Sequence, residues 1–110
     1  MLPTPSFVLG VSSPHVIDVA NAFATFASEG TYSKPYLISK IKGLNEKAMY
    51  EAKPELKSVF SKRVMADLNY ALRGVVRGGT ASAALSGFPR PVAGKTGTSQ
   101  NNASAWFTGY

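Results

Sequence analysis

Cysteine is absent from this 110-residue chain, so neither a disulfide framework nor a thiolate-bound metal is open to it. The single histidine, His15, cannot build a histidine-rich metal centre, and no metal or cofactor is expected. No stretch approaches the ~20 consecutive apolar residues of a membrane span. The opening Met1-Leu2-Pro3-Thr4-Pro5 also lacks the basic and apolar regions of a secretory signal; if the parent protein is exported, its targeting segment lies outside this chain. Acidic residues are scarce, 6 against 12 Lys and Arg, for a formal charge of +6. That excess could draw nucleic acid, anionic lipid or an acidic polymer. Yet no basic run is interleaved with stacking aromatics, and Glu46, Glu51 and Glu55 break up the lysines. The charges are read as an ordinary solvated surface, with no nucleic-acid partner and membrane contact only through a parent protein.

What remains is a globular composition. Apolar residues make up 45% and aromatics 11% of the chain, too much for a disordered segment. A chain of this size is one small domain and buries only about two-thirds of the surface it exposes when unfolded.

Residues 7–10, Phe-Val-Leu-Gly, read as a strand or extended lead-in. Ser13-Pro14 then sets a helix start, Ser as N-cap and Pro at the first helical position. Val16, Val19, Ala20, Phe23, Ala24 and Ala27 recur at helical spacing, and Gly30 ends the pattern. Residues 36–43 read as a strand leading through the turn Gly43-Leu44-Asn45 to a second short strand over residues 48–51, which Lys53-Pro54 breaks. A second helix is predicted from Ser61, with the apolar stripe Val64, Met65, Leu68, Leu72, Val75 and Val76 and a Gly78-Gly79 stop. After a small-residue stretch over 80–86 and the turn Gly87-Phe88-Pro89-Arg90-Pro91, residues 92–99 and 105–110 read as an antiparallel hairpin joined by a polar loop. Trp106 and Phe107 alternate, so one is expected to pack inward and the other to lie at an edge.

The chemically informative stretch is Lys95-Thr96-Gly97-Thr98. On a strand, Thr96 and Thr98 share one face while Lys95 and Gly97 share the other, so a twist or bulge is expected to bring Lys95 to a common ligand. Gly97 lets a ligand or another backbone approach closely. Two hydroxyls, an ammonium and unpaired edge N–H groups suit an extended acyl-peptide bearing a carboxylate. By itself the run is short, and a lysine and threonine on a plain exposed edge strand would satisfy it. A phosphate loop is excluded, because Pro89 stands where its first glycine belongs and Gly97 follows where a helix should open.

Lys-Thr-Gly accompanies Ser-x-x-Lys and Ser-x-Asn in penicillin-binding proteins and serine β-lactamases. Around it the chain resembles the transpeptidase domain of bifunctional, class A penicillin-binding proteins in segment after segment, in the family's order. These are Ser13-Pro14 through Ala20-Asn21-Ala22-Phe23-Ala24-Thr25-Phe26-Ala27 and Gly30, then Lys34-Pro35 with Leu37-Ile38, then Val75-Val76 with Gly79-Thr80-Ala81, then residues 94–98, then Ala105-Trp106-Phe107-Thr108-Gly109-Tyr110. Phe23 departs from the family's usual tyrosine, and Ser104 stands where an aspartate often precedes Ala-Trp-Phe.

The resemblance implies an α+β fragment of the β-lactamase/transpeptidase-like fold, helices packed on an antiparallel sheet, with residues 1–110 a single, incomplete C-terminal portion of the domain. It implies that Lys95 holds positive potential over the substrate and aids proton traffic. Thr96 and Thr98 hydroxyls would bind the carboxylate of a D-Ala-D-Ala stem peptide or a β-lactam, Gly97 would admit the ligand, and the Thr98 N–H would supply an oxyanion donor. A bacterial cell-envelope setting follows, at the outer face of the cytoplasmic membrane. So does a partner covering the bare strand edges: the rest of the domain or a second copy. The nucleophile is missing. Ser39-Lys40-Ile41-Lys42 has the Ser-x-x-Lys form but lies in an expected strand, where residues three apart face opposite sides. Ser99-Gln100-Asn101 follows Lys-Thr-Gly directly and cannot also form the opposite wall. The expectation is a chain that binds without catalysing alone, the true motifs lying upstream. A non-catalytic wall-peptide or protein-binding module and a serine β-lactamase fragment stay open as alternatives.

Overall fold

The computed structural model describes residues 12–110 together with Pro5 and Gly10, so the expected lead-in strand over 7–10 lies outside the described residues except for Gly10. Helix α1 spans Val16–Ala27. It begins later than Ser13-Pro14 suggests: His15 is the N-cap, in extended backbone, and its carbonyl accepts from the Asp18 and Val19 amides at 3.0 and 3.2 Å. Ser13 is therefore too far upstream to cap. No side chain does so, and the Asp18 carboxylate in the first turn answers the positive helix end instead. Gly30 closes the helix as expected, its N–H bonding the Thr25 carbonyl at 2.9 Å with φ of +89°. A Cβ there would stand 2.5 Å from the Phe60 carbonyl oxygen, so only glycine lets the end of α1 meet the segment entering the second helix.

That approach sets up a pairing invisible at short range. Strand β1, Thr31–Ser33, pairs antiparallel with β4, Leu56–Ser58. Between them is inserted a hairpin of β2, Lys40–Lys42, and β3, Ala48–Glu51. The strand expected over 36–43 is thus shorter at its start. Its partner is four residues long and ends before Lys53-Pro54, and the last rung is the Ala52 amide on the Ser39 carbonyl at 2.9 Å. Beyond that rung no pairing extends this hairpin among the described residues.

Helix α2, Lys62–Arg77, forms as the sequence indicates, with the Ser61 hydroxyl accepting from the Val64 amide at 3.4 Å and Gly78 as C-cap. Met65 and Leu72, seven residues apart and so on one stripe, are 2% and 8% exposed. Val64, expected on that stripe, is 52% exposed, because it sits about 100° around the helix from Met65. The chain then folds back onto α2: the Ala81 amide bonds the Val75 carbonyl at 3.1 Å, and a Cβ on Gly79 would stand 2.8 Å from the Val75 Cα.

The last pair is β5, Gly94–Thr98, with β6, Ala105–Gly109. Helix α1 lies against β1 and β6, and α2 against β5. The architecture is α+β, with three separate two-stranded antiparallel sheets among the described residues. The buried apolar core comprises Met65, Leu72, Ala81 and Ala93. Accessible area is 9097 Å², against about 5,900 Å² for a folded monomer of this mass. Large apolar side chains such as Leu37, Leu44, Met49 and Leu56 stand in solvent.

Met65→Ala is expected to cost about 2–5 kcal/mol in urea unfolding, whereas Val64→Ala should cost less than about 0.5 kcal/mol. Equal losses would mean that α2 packs through another face.

Candidate functional site

The site is built on the β5–β6 ladder. Its register pairs Gly94 with Gly109, Lys95 with Thr108, Thr96 with Phe107, Gly97 with Trp106 and Thr98 with Ala105, without a slip. Just before β5, Ala93 and Tyr110 exchange two backbone hydrogen bonds of 2.9 Å, and just after it the Ser99 amide bonds the Ser104 carbonyl at 3.0 Å. Antiparallel pairs alternate between hydrogen-bonded and non-bonded rungs. With 93 and 99 bonded, so are 95 and 97, and the N–H and C=O groups of Gly94, Thr96 and Thr98 point to the other side of β5. No strand pairs there among the described residues. The edge is open.

Lys95 reaches that edge without the twist or bulge its face suggests. Its stem bends so that Nζ donates to the Thr96 carbonyl at 2.9 Å and to Thr96 Oγ1 at 3.3 Å. The flexible four-carbon side chain, rather than the backbone, supplies the reach. The Thr96 hydroxyl has a second partner, Thr80 Oγ1 at 2.6 Å, from the turn after α2. Composition alone had placed Thr80 in a stretch of small residues; the paired glycines before it were the available signal of a tight return.

Glycines also set the other end of the strand. Gly94 and Gly109 face each other, and the Phe107 ring lies across both: a Cβ on Gly94 would stand 2.5 Å from Phe107 Cζ, and one on Gly109 2.8 Å from Phe107 Cε1. Phe107 thus packs on backbone and stays 43% exposed, while Trp106 is 51% exposed. Neither packs inward as expected: the Phe107 ring lies on the Gly94 and Gly109 positions, and Trp106 stands opposite Gly97, which has no side chain to meet it. Beside Gly97 there is open room, a Cβ there having only the Trp106 Cβ at 3.8 Å.

The residues set aside by sequence stay apart from this edge. Lys42 pairs with Glu46 at 2.7 Å in the β2–β3 hairpin, which also holds Ser39. The Ser99 hydroxyl accepts from the Ser104 amide at 2.8 Å and closes the β5–β6 loop. His15 is exposed.

Tyr110 ties the ladder to both helices. Its hydroxyl donates to Asn69 Oδ1 on α2, and its ring meets Phe23 of α1 edge-on at 6.5 Å. Burial raises its phenol above the ordinary 10.0.

Residues 12–110 match the family described as the penicillin binding protein transpeptidase domain. Penicillin-binding protein 1A of Aquifex aeolicus is 40% identical over 98% of this chain and 15% of its own length. Among solved structures, the D,D-transpeptidase domain of a peptidoglycan glycosyltransferase from Eggerthella lenta superposes with a TM-score of 0.75 at 30% identity, over 91% of this chain and 26% of that one. Penicillin-binding protein 1A from Haemophilus influenzae shares the fold with a TM-score of 0.87 at 22% identity, over 97% of this chain and 22% of its own. The chain therefore spans well under a third of the length of each.

Because the folded state favours the neutral Tyr110 phenol, its contribution is complete below the unfolded value of 10.0 and is lost as pH rises through the higher folded value. Thermal melting of the wild type should fall more steeply above pH ~10 than that of Tyr110→Phe. Parallel curves would separate Tyr110 from the alkaline transition.

Proposed function

Because this chain belongs to the penicillin-binding protein transpeptidase domain family, among its class A members, we propose that residues 1–110 are the C-terminal portion of a peptidoglycan D,D-transpeptidase domain. In this reading β5 forms the wall of the cleft that holds a D-Ala-D-Ala stem peptide or a β-lactam. One observation carries the reading: the Lys95 ammonium bends back to Thr96 at an edge where the Thr96 and Thr98 backbone groups have no strand partner.

Each group has a chemical task. The ligand's carboxylate is acceptor-only, and the Thr96 hydroxyl beside the Lys95 ammonium and the Thr98 hydroxyl further along the same strand face are donors suited to it. The Thr98 N–H is oriented by the ladder towards the open side, where it can donate to the oxygen of a carbonyl under attack; a donor of this kind is worth about 2.7–4 kcal/mol in acyl transfer. Gly97 leaves space for the ligand's backbone to lie alongside. Lys95 also steadies negative charge and passes protons within reach of its Nζ. The nucleophilic serine and its lysine come from outside the chain, as does the cover for the apolar surface left open by α1, α2 and the strand edges. The setting is the bacterial envelope, on the outer side of the cytoplasmic membrane. A non-catalytic module would keep the same edge but leave the full-length protein unable to take up an acyl group.

Labelling with a fluorescent penicillin, followed on denaturing gels, distinguishes these readings. The 110-residue chain alone should stay unlabelled, the full-length protein carrying it should label, and Lys95→Ala should slow that labelling by about 10²-fold or more. Covalent label on the isolated chain would sink the proposal, and an unlabelled full-length protein would favour the non-catalytic module.

A further inference from the structure

We infer that Thr80 is a positioning residue for this edge: its hydroxyl holds that of Thr96 so that the Thr96 proton is presented to the ligand's carboxylate. The inference rests on the reading of β5 as the carboxylate-holding wall.

A hydroxyl has one proton to give and two lone pairs to receive with. Thr96 Oγ1 lies 3.3 Å from Lys95 Nζ, which can only donate, and 2.6 Å from Thr80 Oγ1, which can donate or accept. If Thr96 gives its proton to Thr80, an arriving carboxylate meets oxygen lone pairs and is repelled. If Thr80 gives its proton to Thr96, the Thr96 oxygen receives from both neighbours. Its own proton then has no partner within the trio and is free for the carboxylate. An acceptor-only ligand selects the second arrangement, and the ammonium's bond to the Thr96 oxygen makes the Thr96 hydroxyl a stronger donor to that ligand. With its oxygen receiving from Lys95 and Thr80, the Thr96 hydroxyl is held in the rotamer that presents its proton to the ligand; without the Thr80 hydroxyl it is free to turn away.

The backbone holds Thr80 where this requires. Gly79, immediately before it, is packed so closely on the last turn of α2 that a Cβ would stand 2.8 Å from the Val75 Cα. Ala81, immediately after it, is 2% exposed, with its amide bonded to the Val75 carbonyl at 3.1 Å. Flanked by a position that admits no side chain and one that is buried, the Thr80 hydroxyl is directed at β5. It bridges two segments sixteen residues apart in sequence.

The test uses the full-length protein carrying this chain and compares acylation by a penicillin with a free carboxylate and by its methyl ester. Thr80→Val, which keeps the shape and removes the hydroxyl, should slow acylation by the free acid by about 10-fold and leave the ester rate unchanged. Thr80→Ser should restore the free-acid rate to within about 2-fold of wild type. Because the acid-to-ester ratio is taken within each variant, partial loss of folded protein cancels. An unchanged ratio in Thr80→Val, or a Thr80→Ser variant no better than Thr80→Val, overturns the inference and leaves the wall reading intact. If Thr96→Val also leaves the ratio unchanged, the wall reading itself fails, and the role of Thr80 falls with it.

Discussion

The register of one short antiparallel ladder governs what the rest of the molecule can present. With Ala93 bonded to Tyr110 at one end and Ser99 to Ser104 at the other, alternation leaves the backbone groups of Thr96 and Thr98 on the open side and those of Lys95 and Gly97 on the closed one. A slip of one residue would exchange the two sets and turn every side chain to the opposite face. Several contacts guard against it. The facing glycines 94 and 109 accept the Phe107 ring where any Cβ would collide. Tyr110, the residue that closes the ladder, is held by Asn69 and Phe23 from two helices at once.

The helices contribute by locating this ladder rather than by burying it. Met65 and Leu72 form a narrow core line on α2, and Ala81 in the turn after the helix and Ala93 just before β5 are buried as well. The Thr80–Thr96 hydroxyl contact joins these two segments. The cost of so small a core is visible in the apolar surface left in solvent; hydrophobic burial worth about 25 cal/mol per Å² is forgone wherever that surface stays wet.

Local signals carried much of this architecture. The Ser61 cap, the seven-residue spacing of Met65 and Leu72, the Gly78-Gly79 stop and the β5–β6 hairpin are all consequences of near neighbours, and each was legible from the chain alone. So was Lys95-Thr96-Gly97-Thr98 as a strand. What escaped depended on distance in sequence or on missing cover. The β1–β4 pair joins segments separated by an entire hairpin, and it shows only once Gly30 is seen to admit Phe60. Trp106 and Phe107 were expected to divide between inside and outside, but both stay about half exposed, one opposite a glycine and the other laid across two. Lys95 lies on the face opposite Thr96, as alternation has it, but no bulge is needed to bring it round, because a strand rule fixes Cβ and the three carbons beyond it remain free to bend.

The bend of Lys95 bears on how recognition and chemistry divide in such a fold. A cation held by the carbonyl and hydroxyl of its own neighbour is already oriented before any ligand arrives, so less ordering remains to oppose binding. The same holds for a backbone N–H fixed by a ladder, which needs no reorganisation when charge develops on a carbonyl oxygen. A nucleophile gains less from rigid attachment to this strand, since it must approach the carbonyl from another direction and change bonding partners during the reaction. Under the proposed role, placing the preorganised donors on a pinned hairpin and drawing the reacting serine from a different element lets each be set independently. Under the proposed role, that separation explains how one segment can hold a complete recognition edge while containing no serine able to react across it.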